Sequence, residues 1–301
     1  MDQDTKVYGS LFTGADRQVS IALHSNVLSA VTGHSDAVVP FRINPAFLES
    51  AVHTVRTGML HGAELSGCLA KRAVDYVDVV KPVATVAGGV NSVFRDSDGR
   101  LVGDNTSVTA FTELVTPIVH EHKLTKPMAV VFGTGYAARV AVWSLLPLCG
   151  MICIVSRNPD RHNPNMGLME TMLAAAGTGP VIDAVSYDDA VTDPYDIIVN
   201  ATPLGSGVNK CSPATLSPGL AAGVPREGQI YVDMAVGDHK SVFLPNVDGI
   251  STVTGMSIAA MSSALAYWNM SESFNNLRDR GMLAAKYLEV AEMLYSSSPE
   301  S

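Results

Sequence analysis

Short apolar runs alternate with helix-like stretches from Lys6 to Leu101, and the same alternation resumes at Met128. That pattern predicts strands layered with helices, an α/β architecture rather than a helical bundle or a β-sandwich. Ala37-Val-Val-Pro-Phe-Arg-Ile43 reads as a strand. Between Pro45 and Thr57 the apolar residues Phe47, Leu48, Ala51 and Val55 fall near helical spacing, and Gly58 supplies a stop. Asn91 to Phe94 and Leu101-Val102 form the arms of a predicted hairpin that turns on Asp98-Gly99. The polar stretch His120 to Pro127 precedes a sharply apolar run. A connector or domain boundary is therefore expected between Asn105 and Lys126.

The second half reads as successive βαβ units. Met128 to Phe132 is a buried-type strand, Gly133 to Ala138 a turn, and Ala137 to Leu148 a helix. Met151 to Val155 is the next strand and Met166 to Ala176 the next helix, with further strands at Ile197 to Asn200 and Ile230 to Asp233. Parallel units joined in this way place a ligand crevice at the carboxyl ends of the strands. Two late helices, Ser257 to Met270 and Leu283 to Leu294, are not needed by that sheet, and the first is expected to pack back on the amino-terminal domain.

The chain has 301 residues, 47% of them apolar and 16% charged, enough for two domains with full cores. Its net charge of −9 argues against a nucleic acid or an anionic membrane surface as the main partner. Four cysteines, Cys68, Cys149, Cys153 and Cys211, are too few and too irregular for a disulfide framework or a zinc ribbon, so a reducing cytoplasm is expected. The acidic start carries no apolar stretch of the signal-peptide kind. The longest uncharged run, Val140 to Val155, contains Pro147 and Gly150 and falls short of the ~20 residues that span a bilayer. The histidines show no ligand spacing, and no metal site is expected.

Gly133-x-Gly135-x-x-Ala138 stands between a predicted strand and a predicted helix. In that setting Gly133 permits the tight turn, Gly135 lets backbone approach a pyrophosphate, and Ala138 allows close helix–strand packing. The loop amides of Gly133, Gly135, Tyr136 and Ala137, with the helix dipole, are thus expected to hold a dinucleotide. The end of the next strand chooses the cofactor, and it reads Ser156-Arg157-Asn158-Pro159-Asp160-Arg161. Ser156, Arg157 and Arg161 suit a 2′-phosphate, which favours NADP, while Asp160 keeps NAD open.

These residues resemble the shikimate and quinate dehydrogenase family. Asn200-Ala-Thr-Pro-Leu-Gly205 is similar to the family's strand-end signature, and Gly133-Thr-Gly-Tyr-Ala-Ala-Arg139 to its phosphate loop. Gly88-Gly-Val-Asn-Ser92, Asp98-Gly-Arg-Leu-Val-Gly103 and Asn105-Thr106 follow in the family's order, and Gly255-Met256 resembles the start of its late helix. The resemblance implies an amino-terminal α/β substrate domain, residues 1–106 plus 255–301, and a Rossmann-like doubly wound dinucleotide domain, residues 107–254. It implies hydride transfer between NAD(P) and a ring hydroxyl of a hydroxylated cyclic carboxylate. Asn200, Ala201, Thr202, Pro203 and Gly255 would then line the cofactor.

The family's catalytic lysine and aspartate are not matched in place. Ala70 falls on the lysine position, with Lys71 one residue late, and Ser107 falls on the aspartate. Glu64 replaces an asparagine, Ser66 stands for a substrate-binding threonine, Gln18 with Ser20 for paired serines, and Ser262 for a late-helix glutamine. Ser20, Ser66, Asn91, Asn105, Ser107 and Ser262 are therefore the expected substrate contacts, with Lys71 or Glu64 managing the proton. This reading is an NADP-preferring dehydrogenase with altered substrate preference, acting on a small molecule as a monomer or homodimer. The alternatives are a true shikimate or quinate dehydrogenase using Lys71, or a catalytically weak dinucleotide-binding regulator.

Overall fold

The computed structural model describes residues 5–13, 36–159, 166, 167, 169, 174, 177, 179–190, 194–204, 225–236, 241, 243–271 and 277–296. The chain divides into two compact units, Met1–Ala110 with Ala259–Ser297, and Phe111–Ile258 with Ser298–Ser301.

The first unit is built on a six-stranded sheet of β1 (Val7–Phe12), β2 (Ala37–Arg42), β3 (Gly62–Leu65), β4 (Val79–Val80), β5 (Ser92–Arg95) and β6 (Leu101–Asp104). The order is β2-β1-β3-β5-β6-β4, with β5 alone running antiparallel to its neighbours. Among the described residues three helices follow strands of this sheet: α1 (Leu48–Arg56), α2 (Gly67–Ala73) and α3 (Pro82–Ala87). Leu48, Val52 and Val55 of α1 join Leu11, Leu69, Val93 and Leu101 in one core. Phe47, expected on the buried stripe, is 65% exposed. The reason is local: Asn44 caps a 3-10 turn at Pro45–Phe47, and the tighter turn rotates Phe47 off the face that α1 buries. The hairpin forms where expected, with Asp96 Oδ1 accepting from the amides of Asp98 and Arg100 and Gly99 at a φ of +78°.

The stretch expected to hold a connector or domain boundary is a helix, α4 (Thr106–Glu121), and the division between the two units falls within it, after Ala110. Val108, Phe111, Val115 and Val119 are buried at spacings of three and four, the apolar stripe of a helix whose polar end alone looked like a linker. Beyond it lies the second unit's sheet: β7 (Met128–Phe132), β8 (Met151–Val155), β9 (Val181–Val185), β10 (Ile197–Asn200), β11 (Ile230–Asp233) and β12 (Ser251–Val253). All are parallel in the order β12-β11-β10-β7-β8-β9, the doubly wound arrangement that reverses between β7 and β10. Helix α5 (Tyr136–Leu145) follows β7. Most of the helix expected at Met166 to Ala176 lies outside the described residues, as do Gln18, Ser20 and Arg161.

Two late helices complete the chain, α6 (Gly255–Met270) and α7 (Leu277–Ser296). Apart from its first turn, α6 belongs to the first unit. A side chain at Gly62 would collide with Met270 at 2.6 Å, so helix and sheet touch closely there. Tyr8, Tyr267 and Tyr287, each fully buried, contact one another, with ring centroids 5.6 Å and 6.2 Å apart. No described helix is long and apolar enough to cross a membrane.

Candidate active site

In the second unit β7 runs into the loop at Gly133. Gly133 has a φ of +111°, and a Cβ there would meet the Ala201 carbonyl oxygen at 2.9 Å. Glycine is thus demanded by the fold itself at that position. Gly135 differs: its φ is −77°, and a Cβ would find nothing within 4 Å. The space before Gly135 is therefore an open cradle, of the kind a pyrophosphate fills. Helix α5 begins at Tyr136 with no side-chain cap from Gly135 and no acid in its first turn, so its dipole favours an anion there. Tyr136 and Ala137 are half-buried, and Ala138 is fully buried against the sheet. These features fit a dinucleotide.

This geometry separates two variants. Gly133→Ala should destabilise the protein by about 1–3 kcal/mol through backbone strain. Gly135→Val should leave thermal unfolding unchanged yet weaken NADP+ binding about 10- to 100-fold, the worth of a lost amide–phosphate bond. Calorimetric titration beside thermal scans would check both; equal loss of stability in the two would refute the distinction.

The neighbouring strand ends shape the rest of the cradle. Asn200, wholly buried, spends its amide on a turn: Nδ2 donates to the Leu204 carbonyl at 2.9 Å and to Asp233 Oδ1 at 2.8 Å. Its Oδ1 accepts from the Thr202 amide and hydroxyl at 3.0 and 2.7 Å. Asn200 thus supports Ala201, Thr202 and the exposed Pro203, and its own amide is occupied by the fold. Asp233 also accepts from the Ala235 amide and the Ser241 hydroxyl, but burial still pushes its carboxyl up to about 6. Ser156 is buried and exchanges hydrogen bonds with the backbone of Asn158, which shapes the turn after β8, while Arg157 is exposed there. Gly255 opens α6 so close to the Ala235 carbonyl that no side chain fits.

In the first unit a hydroxyl cluster surrounds Asn91. Its Nδ2 lies 3.2 Å from Thr106 Oγ1, 3.0 Å from Ser107 Oγ and 3.0 Å from Ser262 Oγ, and its Oδ1 accepts from the Thr106 amide at 2.9 Å. Two N–H bonds face three hydroxyl oxygens, so one hydroxyl is always left to bond elsewhere. Thr106 and Ser262 are buried, while Ser107 is half-buried. Asn105 stands apart from this cluster: its Nδ2 donates to the Gly89 carbonyl at 2.7 Å and braces the turn before Asn91. Ser66 is half-buried at the start of α2, 3.5 Å from the Cys68 sulfur.

The two candidate proton handlers separate. Ala70 is fully buried on the inner face of α2, and its carbonyl accepts from the Val90 amide, next to Asn91. One residue on, about 100° around the helix, Lys71 is exposed beside Arg72. Glu64 is half-buried at the end of β3 and accepts from the Ser263 hydroxyl at 2.8 Å. Burial drives the Tyr267 and Tyr287 phenols well above their usual range, and the Glu64 carboxylate adds to the shift of each. Sequence reasoning passed over a second charged pair: Lys81 Nζ lies 2.7 Å from Asp104 Oδ2. Nothing in the linear pattern links Asp104 to Lys81. No cluster of three or more metal-ligating side chains occurs among the described residues.

No family model matches the chain. It is 30% identical over 209 residues to the NADP(+) shikimate dehydrogenase of Salinibacter ruber, covering 68% of this chain and 71% of that enzyme. In fold it resembles the shikimate 5-dehydrogenase of Thermus thermophilus, solved with NADP(H) and shikimate, at a TM-score of 0.74 and 23% identity over 96% of this chain and 100% of that one. It equally resembles the 5-ketofructose reductase of a Gluconobacter strain, at a TM-score of 0.75 and 19% identity over 97% and 100% of the two chains. With the doubly wound sheet, the glycine loop and the Asn200 turn all in place, the chain belongs to the shikimate dehydrogenase family.

Proposed function

We propose that this NADP-preferring dehydrogenase oxidises or reduces a hydroxylated ring substrate other than shikimate itself. The observation that carries the reading is that the two family proton-handling positions hold Ala70, fully buried, and Ser107, a member of a neutral hydroxyl cluster. NADP supplies or takes up the hydride when bound. Gly133, Gly135, Tyr136, Ala137 and Ala138 would hold its pyrophosphate, Arg157 with Arg161 its 2′-phosphate, and Thr202 with Pro203 its strand-end side. Ser66, Asn91, Ser107 and Ser262 bind and orient the substrate hydroxyls through a cluster that both donates and accepts. Ser20 is assigned to the same ligand. Glu64 holds the hydroxyl proton, accepting it as the carbinol is oxidised and returning it as the ketone is reduced. Ser263 keeps that carboxylate oriented.

The same fold in a protein named for 5-ketofructose supports a polyhydroxylated substrate that need not be shikimate. Steady-state assays with NADP+ and NAD+ on shikimate, quinate and simple cyclic polyols over a pH series test the reading. Glu64→Gln should lower kcat about 10²- to 10⁴-fold on the preferred substrate, the usual worth of a general acid–base group. Lys71→Ala should change it by no more than about twofold, because an exposed lysine turned 100° away does not reach the hydroxyl cluster. Ordinary turnover of shikimate, abolished by Lys71→Ala, would overturn the proposal in favour of a conventional family member.

A further inference from the structure

Helix α6 is buried on nearly every side from Gly255 to Met270. A helix apolar all round has no amphipathic stripe, so hydrophobic burial alone leaves its rotation about its own axis weakly determined. Its polar contacts must then set the angle. Three fall on the first unit's sheet and its α4 junction: Ser262 to Asn91 and Thr106, Ser263 to Glu64, and Asn269 to Asp104 at 2.9 Å.

The strand register explains why they line up. Ser10, Glu64, Ser92 and Asp104 are direct partners across β1, β3, β5 and β6, so they project from one face of the sheet, the face that α6 covers. Ser262 and Asn269 are seven positions apart, two helical turns and roughly 10 Å along the axis, on the same side of α6. The helix is thus pinned at its middle and near its carboxyl end. Near Asn91 the pin is a hydroxyl cluster, and at the far end it is a carboxylate.

That carboxylate is nearly enclosed. The Asp104 side chain is 7% exposed; its Oδ1 accepts from the Asn105 amide, and its Oδ2 accepts from both Asn269 and Lys81. Lys81 directly follows β4, is anchored by its own amide to the Gly103 carbonyl, and lies 5.2 Å from the Phe94 ring centroid. It supplies the one charge that compensates Asp104 among the described contacts. Without it Asp104 is a nearly enclosed carboxylate with no cation beside it, and turning towards water releases Asn269.

We propose that Lys81 is a positioning residue: through Asp104 and Asn269 it sets the rotation and axial register of α6, and so holds Ser262 and Ser263 against Asn91 and Glu64. The pair does not join the hydroxyl cluster; it acts two turns away, through the helix. The consequence for turnover rests on the reading of that cluster as the substrate site, whereas the consequence for α6 does not.

Hydrogen exchange of residues 258–270 and steady-state kinetics on the full chain separate the two. Lys81→Met should speed exchange in α6 at least about tenfold with β7 and α5 unchanged, the signature of local rather than global opening. The same variant should raise KM for the hydroxylated substrate about tenfold while NADP+ binding holds, and Lys81→Arg should restore both. In an Asp104→Asn background Lys81→Met should add little, because the charge it compensated is gone. Wild-type exchange in Lys81→Met, or additive effects in the double variant, would overturn the proposal. Faster α6 exchange with an unchanged KM would refute the positioning of the serines. Failure of the wild-type chain to turn over any ring polyol would instead strike the proposed function, and the exchange data would still decide the role of Lys81.

Discussion

Introducing Ala70→Lys and Ser107→Asp together should raise shikimate oxidation with NADP+ about 10²- to 10⁴-fold over the unsubstituted chain, the rate that acid–base groups contribute. The two positions are linked through residues 90 and 91: the Ala70 carbonyl accepts from the Val90 amide at 2.8 Å, and the side-chain Nδ2 of the next residue, Asn91, donates to Ser107 Oγ at 3.0 Å. A lysine reaching from the buried face of α2 would therefore emerge beside the hydroxyl cluster, and a carboxylate at position 107 would sit next to it. Neither change should succeed alone. Ala70→Lys by itself buries an ammonium beside neutral hydroxyls, and Ser107→Asp by itself places a carboxylate there with no cation, each costing stability as well as rate. Initial rates and denaturation midpoints of the two single variants and the double would show strong coupling. Shikimate turnover in the double variant equal to that of the starting chain would mean the missing pair is not what separates this protein from its relatives.

The second large effect concerns Asp233, the carboxylate behind the Asn200 turn. Burial raises it from the usual carboxylate range to about 6 in the folded protein, against three hydrogen bonds that pull it down. Because the folded pKa lies above the unfolded one, the folded state binds the extra proton between about pH 4 and 6. The stability contributed is therefore fully present below that window and is lost as pH rises through it. A shift of two units corresponds to about 3 kcal/mol. Asp233→Asn retains the Oδ1 acceptor for Asn200 and Ala235 without the charge. Its stability relative to the parent should rise by about 3 kcal/mol between pH 4 and 8, measured by chemical denaturation across that range. Parallel curves for the two proteins would refute the effect. Surface acids such as the exposed Asp78 and the half-buried Asp96, held low by arginine partners or by bonded amides against some burial, titrate alike in both chains and cancel from the comparison.

Much of the dinucleotide unit was legible in the linear pattern. Its central strands β7, β8, β10 and β11 are apolar runs buried almost throughout, and Gly133 stands at a turn whose local geometry admits little else. The first unit was less legible. Its strands β3 and β4 span four and two residues, too short for an alternation to declare itself, and the boundary expected between Asn105 and Lys126 falls inside a helix, α4, whose polar end alone marks it in the chain. Phe47 went wrong for a similar reason: a single 3-10 turn changes the helical phase, and apolar spacing does not record it.

The candidate site divides along the same line. Asn91, Ser107 and Ser262 could be singled out from sequence, and the fold brings them together within 3.3 Å of a neighbour. Asn105 and Asn200 could be singled out too, but their amides turn out to be spent on backbone carbonyls and a carboxylate. A one-residue displacement of a lysine is visible in the chain; that it moves the ammonium from a buried face to solvent is visible only on α2.

The sequence by itself determined the α/β class and the cofactor loop. Those features are local, because turn geometry, strand burial and residue identity at a motif depend on a few neighbouring positions. Only the tertiary structure decided the Lys81–Asp104–Asn269 contact, the Ser263–Glu64 bond and the row of polar residues under α6. These contacts join residues 23, 199 and 165 positions apart, and side-chain chemistry alone does not say which distant donors and acceptors a sheet register and a helix rotation will bring within 3 Å.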